Sequence, residues 1–336
     1  MLTVGLIGCG GMGAMHANCY IALADRVKLV AIADTMPEKA EKFAKVTGAK
    51  VYTSGEELLK NEKPDIIDVC VPTYLHTKFA VEAMEMGCHV FCEKPICLNE
   101  DEAKLLLETE KKTGMKFQVG QVLRFIKEYK WTKEMVEKGT YGRVLAGHFA
   151  RLSSNPFWGW ENWFNDPEKS GTAALDLHIH DVDFVRYIMG GNPDSVYAKG
   201  ARDEKGVLMH IMATYTFGDA TITTEGGWDF PKGYPFNPLF RLKLEKATIM
   251  MSREHGLQVY TEEGECFTPE LKDEYEAEVD IGINVSSLGG YYSELRYFID
   301  EIIKGDGKAI APLSEGIESA RLVWKEVESA GGRVRK

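Results

Sequence analysis

Four groups of residues in this chain have types and spacings that could do chemistry. The first is Gly8-Cys9-Gly10-Gly11-Met12-Gly13, a G-x-G-x-x-G run directly after a short apolar stretch, residues 2–7. Glycines so spaced permit a tight turn, then close approach of a pyrophosphate to the backbone, then tight packing of a helix on a strand. The free N–H groups at the start of that helix, with its positive dipole end, would hold the phosphates. Asp34 ends the next apolar run, 21 residues after Gly13. Its carboxylate could accept hydrogen bonds from a ribose 2′-hydroxyl. Thr35, Met36, Pro37 and Glu38 bring no arginine to receive a 2′-phosphate, and Lys39 is the only nearby cation. NAD is therefore expected rather than NADP.

The second group is Glu93-Lys94-Pro95. Pro95 biases Lys94 toward an extended backbone, which could aim the ammonium into a cleft; a solvated lysine in a turn is the other reading. The third is Asp176-Leu177-His178-Ile179-His180-Asp181-Val182-Asp183. Residues four apart share a helix face, so Asp176 would lie beside His180, with Asp183 continuing the stripe. A carboxylate there can orient an imidazole that titrates near neutrality, which suits general acid–base work; a surface ion pair is the alternative. His178 and His180, two apart, would stand about 200° apart around a helix and could not share a metal ion. No metal site is expected. The fourth is Phe157-Trp158-Gly159-Trp160-Glu161-Asn162-Trp163-Phe164, whose tryptophans are costly to expose. They could wall a pocket and stack on a sugar ring, present an indole to a nicotinamide, or simply pack in a core or between subunits.

These residues need elements to hold them. Residues 1–122 alternate apolar runs (2–7, 28–33, 49–52, 65–71, 88–92, 116–119) with helical patterns. Ser54 with Glu57 and Asn99 with Glu102 are helix-start signals. Repeated β-α units of this length imply a parallel, doubly wound sheet that binds ligands at the carboxyl ends of its strands. From 123 to 336 the pattern changes to a helical stretch through 137, then long alternating runs at 143–152, 195–201, 208–217, 220–225 and 239–246. One helix, 172–189, interrupts them, and helices return at 291–304 and 314–329. The expected fold is α/β. An N-terminal Rossmann domain, 1–122, is followed by an α+β domain, 123–336, with a large, open, mostly antiparallel sheet whose bare face a symmetry mate could cover.

The 336 residues allow about two domains at roughly 150 residues each, and 44% hydrophobic residues suit a sizeable core. A net charge of −11 argues against non-specific nucleic-acid binding and against a polybasic membrane patch. The seven cysteines contain no C-x-x-C pair and read as reduced thiols. No basic region precedes the first apolar run, and no stretch of about 18 apolar residues occurs. A cytoplasmic location is expected.

Taken in order, these marks resemble the glucose–fructose oxidoreductase / inositol dehydrogenase / rhizopine catabolism family, Gfo/Idh/MocA. They are the glycine loop with Asp34, Val71-Pro72-Thr73 with His76, Glu93-Lys94-Pro95, Gly120-Gln121 with Arg124-Phe125, the Asp176…His180 helix and Tyr292…Glu294…Phe298. The resemblance covers nearly the whole chain. It implies reversible hydride transfer between a hydroxyl carbon of a sugar, polyol or inositol and nicotinamide C4. The family's lysine, aspartate and histidine map onto Lys94, Asp176 and His180. Thr73, His76, Glu93, Lys94 and Gln121 fall where the ribose or nicotinamide is met. Arg124, Trp160, Asn162 and Trp163 are the expected substrate contacts. A homodimer or homotetramer through the second sheet is implied. Relatives that cleave glycosides with permanently bound NAD, or that bind NAD and sugars as regulators, set the alternatives. The chain departs from the family pattern at Thr172 and His178, where glycines are usual.

Overall fold

The computed structural model of the chain describes residues 1–282, 285–304 and 308–335. Contacts divide it into two compact units, Met1–Ile126 with Asp273–Ile317, and Lys127–Lys272 with Glu318–Lys336. The boundary drawn from sequence placed 123–126 and 273–317 in the second domain. They pack with the first. The reason is the helix Gly289–Lys304, whose Tyr291, Leu295, Phe298 and Ile299 join Leu6, Met15, Tyr20 and Phe91 in one buried core.

In the first unit the strands are β1 (Leu2–Ile7), β2 (Val27–Ala33), β3 (Lys50–Tyr52), β4 (Ile66–Val69), β5 (His89–Glu93) and β6 (Phe117–Gly120). They form one parallel sheet in the order β3-β2-β1-β4-β5-β6, the doubly wound order with its switch point beside β1. Between them run α1 (Gly11–Ala22), α2 (Pro37–Thr47), α3 (Gly55–Asn61), α4 (His76–Glu85) and α5 (Glu100–Thr113). A parallel sheet is covered on both faces, and all four residues of β4 and of β6 are accordingly buried. Ser54 caps α3 through the Glu57 N–H and Asn99 caps α5 through the Glu102 N–H, as their spacing suggests.

The second unit carries α6 (Lys127–Glu137), β7 (Val144–Ser154), the short α7 (Pro167–Ser170) and α8 (Ile179–Met189). After these come β8 (Ser195–Arg202), β9 (Leu208–Phe217), β10 (Ala220–Phe230), β11 (Asn237–Leu244), β12 (Ala247–Ser252), β13 (Gly256–Thr261) and β14 (Cys266–Phe267). The helix of the first unit at Gly289–Lys304 is α9, and α10 (Leu313–Ser329) runs from the first unit into the second. The eight strands form one sheet in the order β14-β13-β12-β11-β7-β10-β9-β8, antiparallel except where β10 pairs β7. Strands β12–β14 were not read from the sequence.

One face of that sheet is core: Phe149, Ile211, Tyr215, Ile222, Phe240, Leu242 and Ile249 are buried. The other face is open, with Tyr197 and Met212 exposed. On the covered face Phe184 of α8 stands edge-on to Tyr129 at 4.8 Å. Burying such an aromatic side chain contributes about 2–3 kcal/mol, so α8 is held as part of the core. No two cysteines form a disulfide. Among the described residues no helix is long and apolar enough to cross a membrane.

Candidate active site

In the first unit the candidate residues gather along one edge of the parallel sheet, because each follows a strand's carboxyl end. The glycine loop follows β1, Asp34 follows β2, Thr73 lies in a 3₁₀ turn after β4, Lys94 follows β5 and Gln121 follows β6. The three signature glycines meet separate steric demands. Gly8 has φ +92°, and a Cβ on it would lie 2.5 Å from the Cys70 carbonyl oxygen. A Cβ on Gly13 would lie 1.9 Å from the Gly8 oxygen. A Cβ on Gly10 would meet nothing within 4 Å, so the space over it is open to a ligand. No side chain caps the start of α1, where Gly11, Met12 and Gly13 form the first turn. An uncapped N-terminus behind an open glycine fits a pyrophosphate.

Asp34 is tied to this loop. Its Oδ2 accepts from the Cys9 backbone N–H at 2.7 Å and its Oδ1 from the Met36 N–H at 2.8 Å. Each oxygen keeps a lone pair for a further donor. Burial, then the Asp34 charge, pushes the Cys9 thiol up to about 12, so this cysteine is no nucleophile.

Glu93 is buried and ends β5; half-buried Lys94 follows, and the Lys94–Pro95 peptide is cis. The Lys94 N–H donates to Glu93 Oε2 at 3.2 Å. His76 braces this corner. Its Nδ1 faces the Pro95 carbonyl and its Nε2 the Val71 carbonyl, both at 2.8 Å. Burial holds the imidazole below its ordinary value against those two acceptors. His76 thus ties the turn after β4 to the turn after β5. Thr73 and Gln121 are buried close to the strand ends. Arg124 is buried too, and donates to the Ile310 carbonyl at 2.6 Å with Glu315 at 3.5 Å. These contacts anchor the returning segment.

In the second unit the expected helix 172–189 is not one regular helix. Thr172 takes φ +62°, a conformation strained for a β-branched residue. It is held by Ser170 Oγ, which accepts from its N–H at 2.8 Å, and by its own hydroxyl, which donates to the Leu208 carbonyl at 2.9 Å. A π turn, Ala173–Leu177, follows, closed by the His178 N–H donating to the Ala173 carbonyl at 2.9 Å, and α8 begins at Ile179. Buried Asp176 therefore sits in the π turn and half-buried His180 in the first turn of α8. Such π turns are frequent at functional sites.

His178, between Asp176 and His180, has a partner of its own. It is fully buried, with Nε2 2.9 Å from Glu326 Oε2. Tyr215 donates to the other oxygen of Glu326, and the Thr224 hydroxyl donates to Tyr215 at 3.0 Å. A Cβ on Gly226 would lie 2.5 Å from His178 Cβ, so the strand makes room for the ring. Asp181 pairs with Arg151 at 2.9 Å, and Asp183 accepts from Ser319 at 2.8 Å. Three buried polar contacts thus fix the helix that presents His180. The sequence missed Arg151 and Glu326, although a histidine in place of the family's glycine was a signal that something must receive it.

The aromatic segment is divided. Trp163 stacks on Phe164 at 4.0 Å, and Phe164 meets Trp228 and Ala173 in a small core. Trp160 and Asn162 are exposed. Glu161 and Asn162 are left-handed, and Asn162 accepts from Asn165 at 2.7 Å.

The comparisons agree with this architecture. The family described as "Oxidoreductase family, NAD-binding Rossmann fold" matches residues 2–121, and the GFO/IDH/MocA C-terminal domain matches residues 129–264. The chain is similar to myo-inositol 2-dehydrogenase of Thermotoga maritima, 32% identical over 60% of this chain and 58% of that one. It is also similar to 2,7-anhydro-N-acetylneuraminate hydratase of Mediterraneibacter gnavus, 33% identical over 60% of this chain and 53% of that one. The chain spans about half the length of the curated relatives it matches. A levoglucosan dehydrogenase solved with NADH and levoglucosan shares the fold at a TM-score of 0.82, with 22% identity over 98% of this chain and 97% of that one. A Rossmann unit and a C-terminal unit that each match the same family make the conclusion plain: the chain belongs to the Gfo/Idh/MocA oxidoreductases.

Proposed function

We propose that this protein is an NAD-dependent dehydrogenase acting on a hydroxyl carbon of a sugar, polyol or inositol. The observation that carries the reading is the glycine loop bound to Asp34 through the Cys9 N–H at 2.7 Å, beneath an open Gly10. A carboxylate held there favours a ribose 2′-hydroxyl and repels a 2′-phosphate, which supports NAD over NADP. When bound, the nicotinamide supplies hydride acceptance and donation. The chain's residues would do the rest. His180 would take the hydroxyl proton, Asp176 would orient the imidazole and stabilise its charged form, and Lys94 would hydrogen-bond the reacting oxygen. Thr73, Glu93 and Gln121 would line the ribose and nicotinamide. Trp160 and Asn162 are the exposed candidates for the sugar face. The open sheet face, with Tyr197 and Met212, would bury against a second copy.

The test is a screen of inositols, aldoses and sugar acids with NAD and NADP, following absorbance of the reduced cofactor. NAD-dependent turnover is expected, and His180→Asn should lose most of it while keeping NADH affinity. Undiminished turnover in His180→Asn removes the proton acceptor from the scheme. A second reading rests on the relative named as a hydratase: the cofactor would be retained and recycled within one turnover. Substrate consumption without net NADH release would favour it.

A further inference from the structure

Glu294 of α9 is fully buried, and neither of its carboxyl oxygens meets a hydrogen-bond partner among the described residues. It belongs to a group with His16 and Glu93 whose polar atoms lie within 4.8 Å of one another, the span of a direct contact or of one bridging water. His16 Nε2 stands 3.2 Å from Glu93 Oε1, an ion-pair distance whose direction is not that of a hydrogen bond. On the far side of the ring, Nδ1 lies 2.8 Å from Asp68 Oδ2, which also accepts from the Tyr20 hydroxyl at 2.8 Å. Cys70 Sγ donates to Asp68 Oδ1 at 3.3 Å. A Cβ on Gly120 would lie 3.0 Å from Glu93 Oε1, so β6 leaves the space that this carboxyl occupies.

The charges decide the protonation. Three carboxyl groups face one imidazole in a buried interior, where an uncompensated anion is strongly disfavoured. Asp68 has three donors. Glu93 has the Lys94 N–H as donor and the His16 ring at ion-pair distance. Glu294 has none among the described residues, so it is the group that must be neutral, and Glu93 is the carboxyl grouped with it.

We propose that Glu294 is a neutral carboxylic acid that donates its proton toward Glu93 and is thereby a positioning residue for Lys94. The chain of contacts is short. Glu93 Oε1 faces His16, an oxygen of the same carboxyl lies within 4.8 Å of Glu294, and Glu93 Oε2 accepts the Lys94 N–H. Fixing the carboxyl fixes the peptide from which the ammonium projects. Burial, and then the Glu93 charge, push the Glu294 carboxyl well above its ordinary value against the opposing effect of His16. Burial opposes a charge on His16, but Asp68 and Cys70 together outweigh it and hold the ring well above its ordinary value. The positioning role rests on the reading of Lys94 given above; the proton on Glu294 does not.

Infrared difference spectra of the full chain with NADH, at mildly alkaline pH, test the proton. A protonated-carboxyl stretch is expected in the unaltered protein and should vanish in Glu294→Gln. Reductive ¹³C-methylation tests the positioning, with the Lys94 signal assigned by its loss in Lys94→Arg. Glu294→Gln, a neutral hydrogen-bonding group of similar shape, should leave that signal in place, and Glu294→Leu should shift it. Three results overturn the inference: no such stretch, a Lys94 signal unmoved in folded Glu294→Leu, or one divalent cation per chain by elemental analysis that Glu294→Gln abolishes. Should Glu294→Leu fail to fold, the infrared comparison decides alone. No readout involves turnover, so a failed dehydrogenase assay and a failed inference are separate outcomes.

Discussion

Glu294→Gln should make the first unit more stable relative to the unaltered chain as pH rises, starting just above the ordinary glutamate value of 4.5. In the folded chain this carboxyl titrates well above that value; in the unfolded chain it does not. Between the two the folded state holds one more proton, and unfolding becomes easier by about 1.4 kcal/mol for each pH unit. His16 is also raised, and its contribution has the same sign: full below 6.5, lost as pH climbs beyond it. Below 6.5 both states hold the His16 proton, so that ring is silent. The carboxylates held low by cationic or hydrogen-bonded partners, Glu56, Glu62, Glu245 and Glu318, act in the opposite direction and only below 4.5. From about pH 5 to about pH 6.5 His76 and His89, held below 6.5, and Glu110, raised by burial, also contribute, but alike in both proteins. The gap between variant and parent reports Glu294 and should widen by about 2 kcal/mol. Amide hydrogen exchange of peptides from β4 and β5, across a urea series at each pH, measures it. The tryptophans at 131, 158, 160, 163, 228 and 324 all lie in the second unit, so their fluorescence is a control that should not move. A gap that stays constant over this range, or narrows, refutes a protonated Glu294.

The glycine loop yields a paired prediction. Gly13→Ala sets a Cβ against the Gly8 carbonyl oxygen and should lose about 1–3 kcal/mol of stability along with NADH binding. Gly10→Ala, with nothing nearby, should melt like the parent yet bind NADH at least about tenfold more weakly, read by fluorescence titration. His178→Leu leaves the Glu326 carboxylate buried opposite an apolar side chain and should destabilise the second unit by about 3 kcal/mol. Tryptophan fluorescence during urea unfolding checks this, and a variant as stable as the parent would show that the pair contributes nothing.

What could be read from the sequence was local. The glycines at 8, 10 and 13 answer to a turn, an open approach and a helix contact within a few residues of themselves, and the structure shows a separate steric reason for each. The same holds for Ser54 and Asn99 as caps. Periodicity failed where the geometry departs from its repeat. Five residues of π turn carry too little pattern to be told from an α-helix, so 172–189 was read as one regular helix. Strands β12–β14 were missed because Thr248, Met250, Ser252 and Gln258 on the open face are not buried and break the apolar signal.

The larger errors share a different cause. An amphipathic helix announces that it will bury a face, and says nothing about which sheet will receive it. Hence α9 was assigned to the nearer domain, although Leu6, Met15, Tyr20 and Phe91, with which it packs, lie more than 190 residues back along the chain. The carbonyl of Ile310, which Arg124 anchors, belongs to the same returning segment and was equally out of reach of the sequence. Buried polar groups offered a stronger clue than the apolar ones. Asp68 interrupts the run Ile66-Ile67-Asp68-Val69, and a buried strand does not tolerate an acid without donors. His16, on the helix after the glycine loop, has the complementary chemistry. Pairing the two from sequence needs only the rule that β4 lies beside β1, behind the first helix. The third member, Glu294, cannot be placed that way, since no rule of the doubly wound fold says that a later helix returns to cover α1. The proton assigned to Glu294 thus depends on a contact that the tertiary fold alone creates, which is why its test lies in protonation and local stability rather than in the motif that marks it.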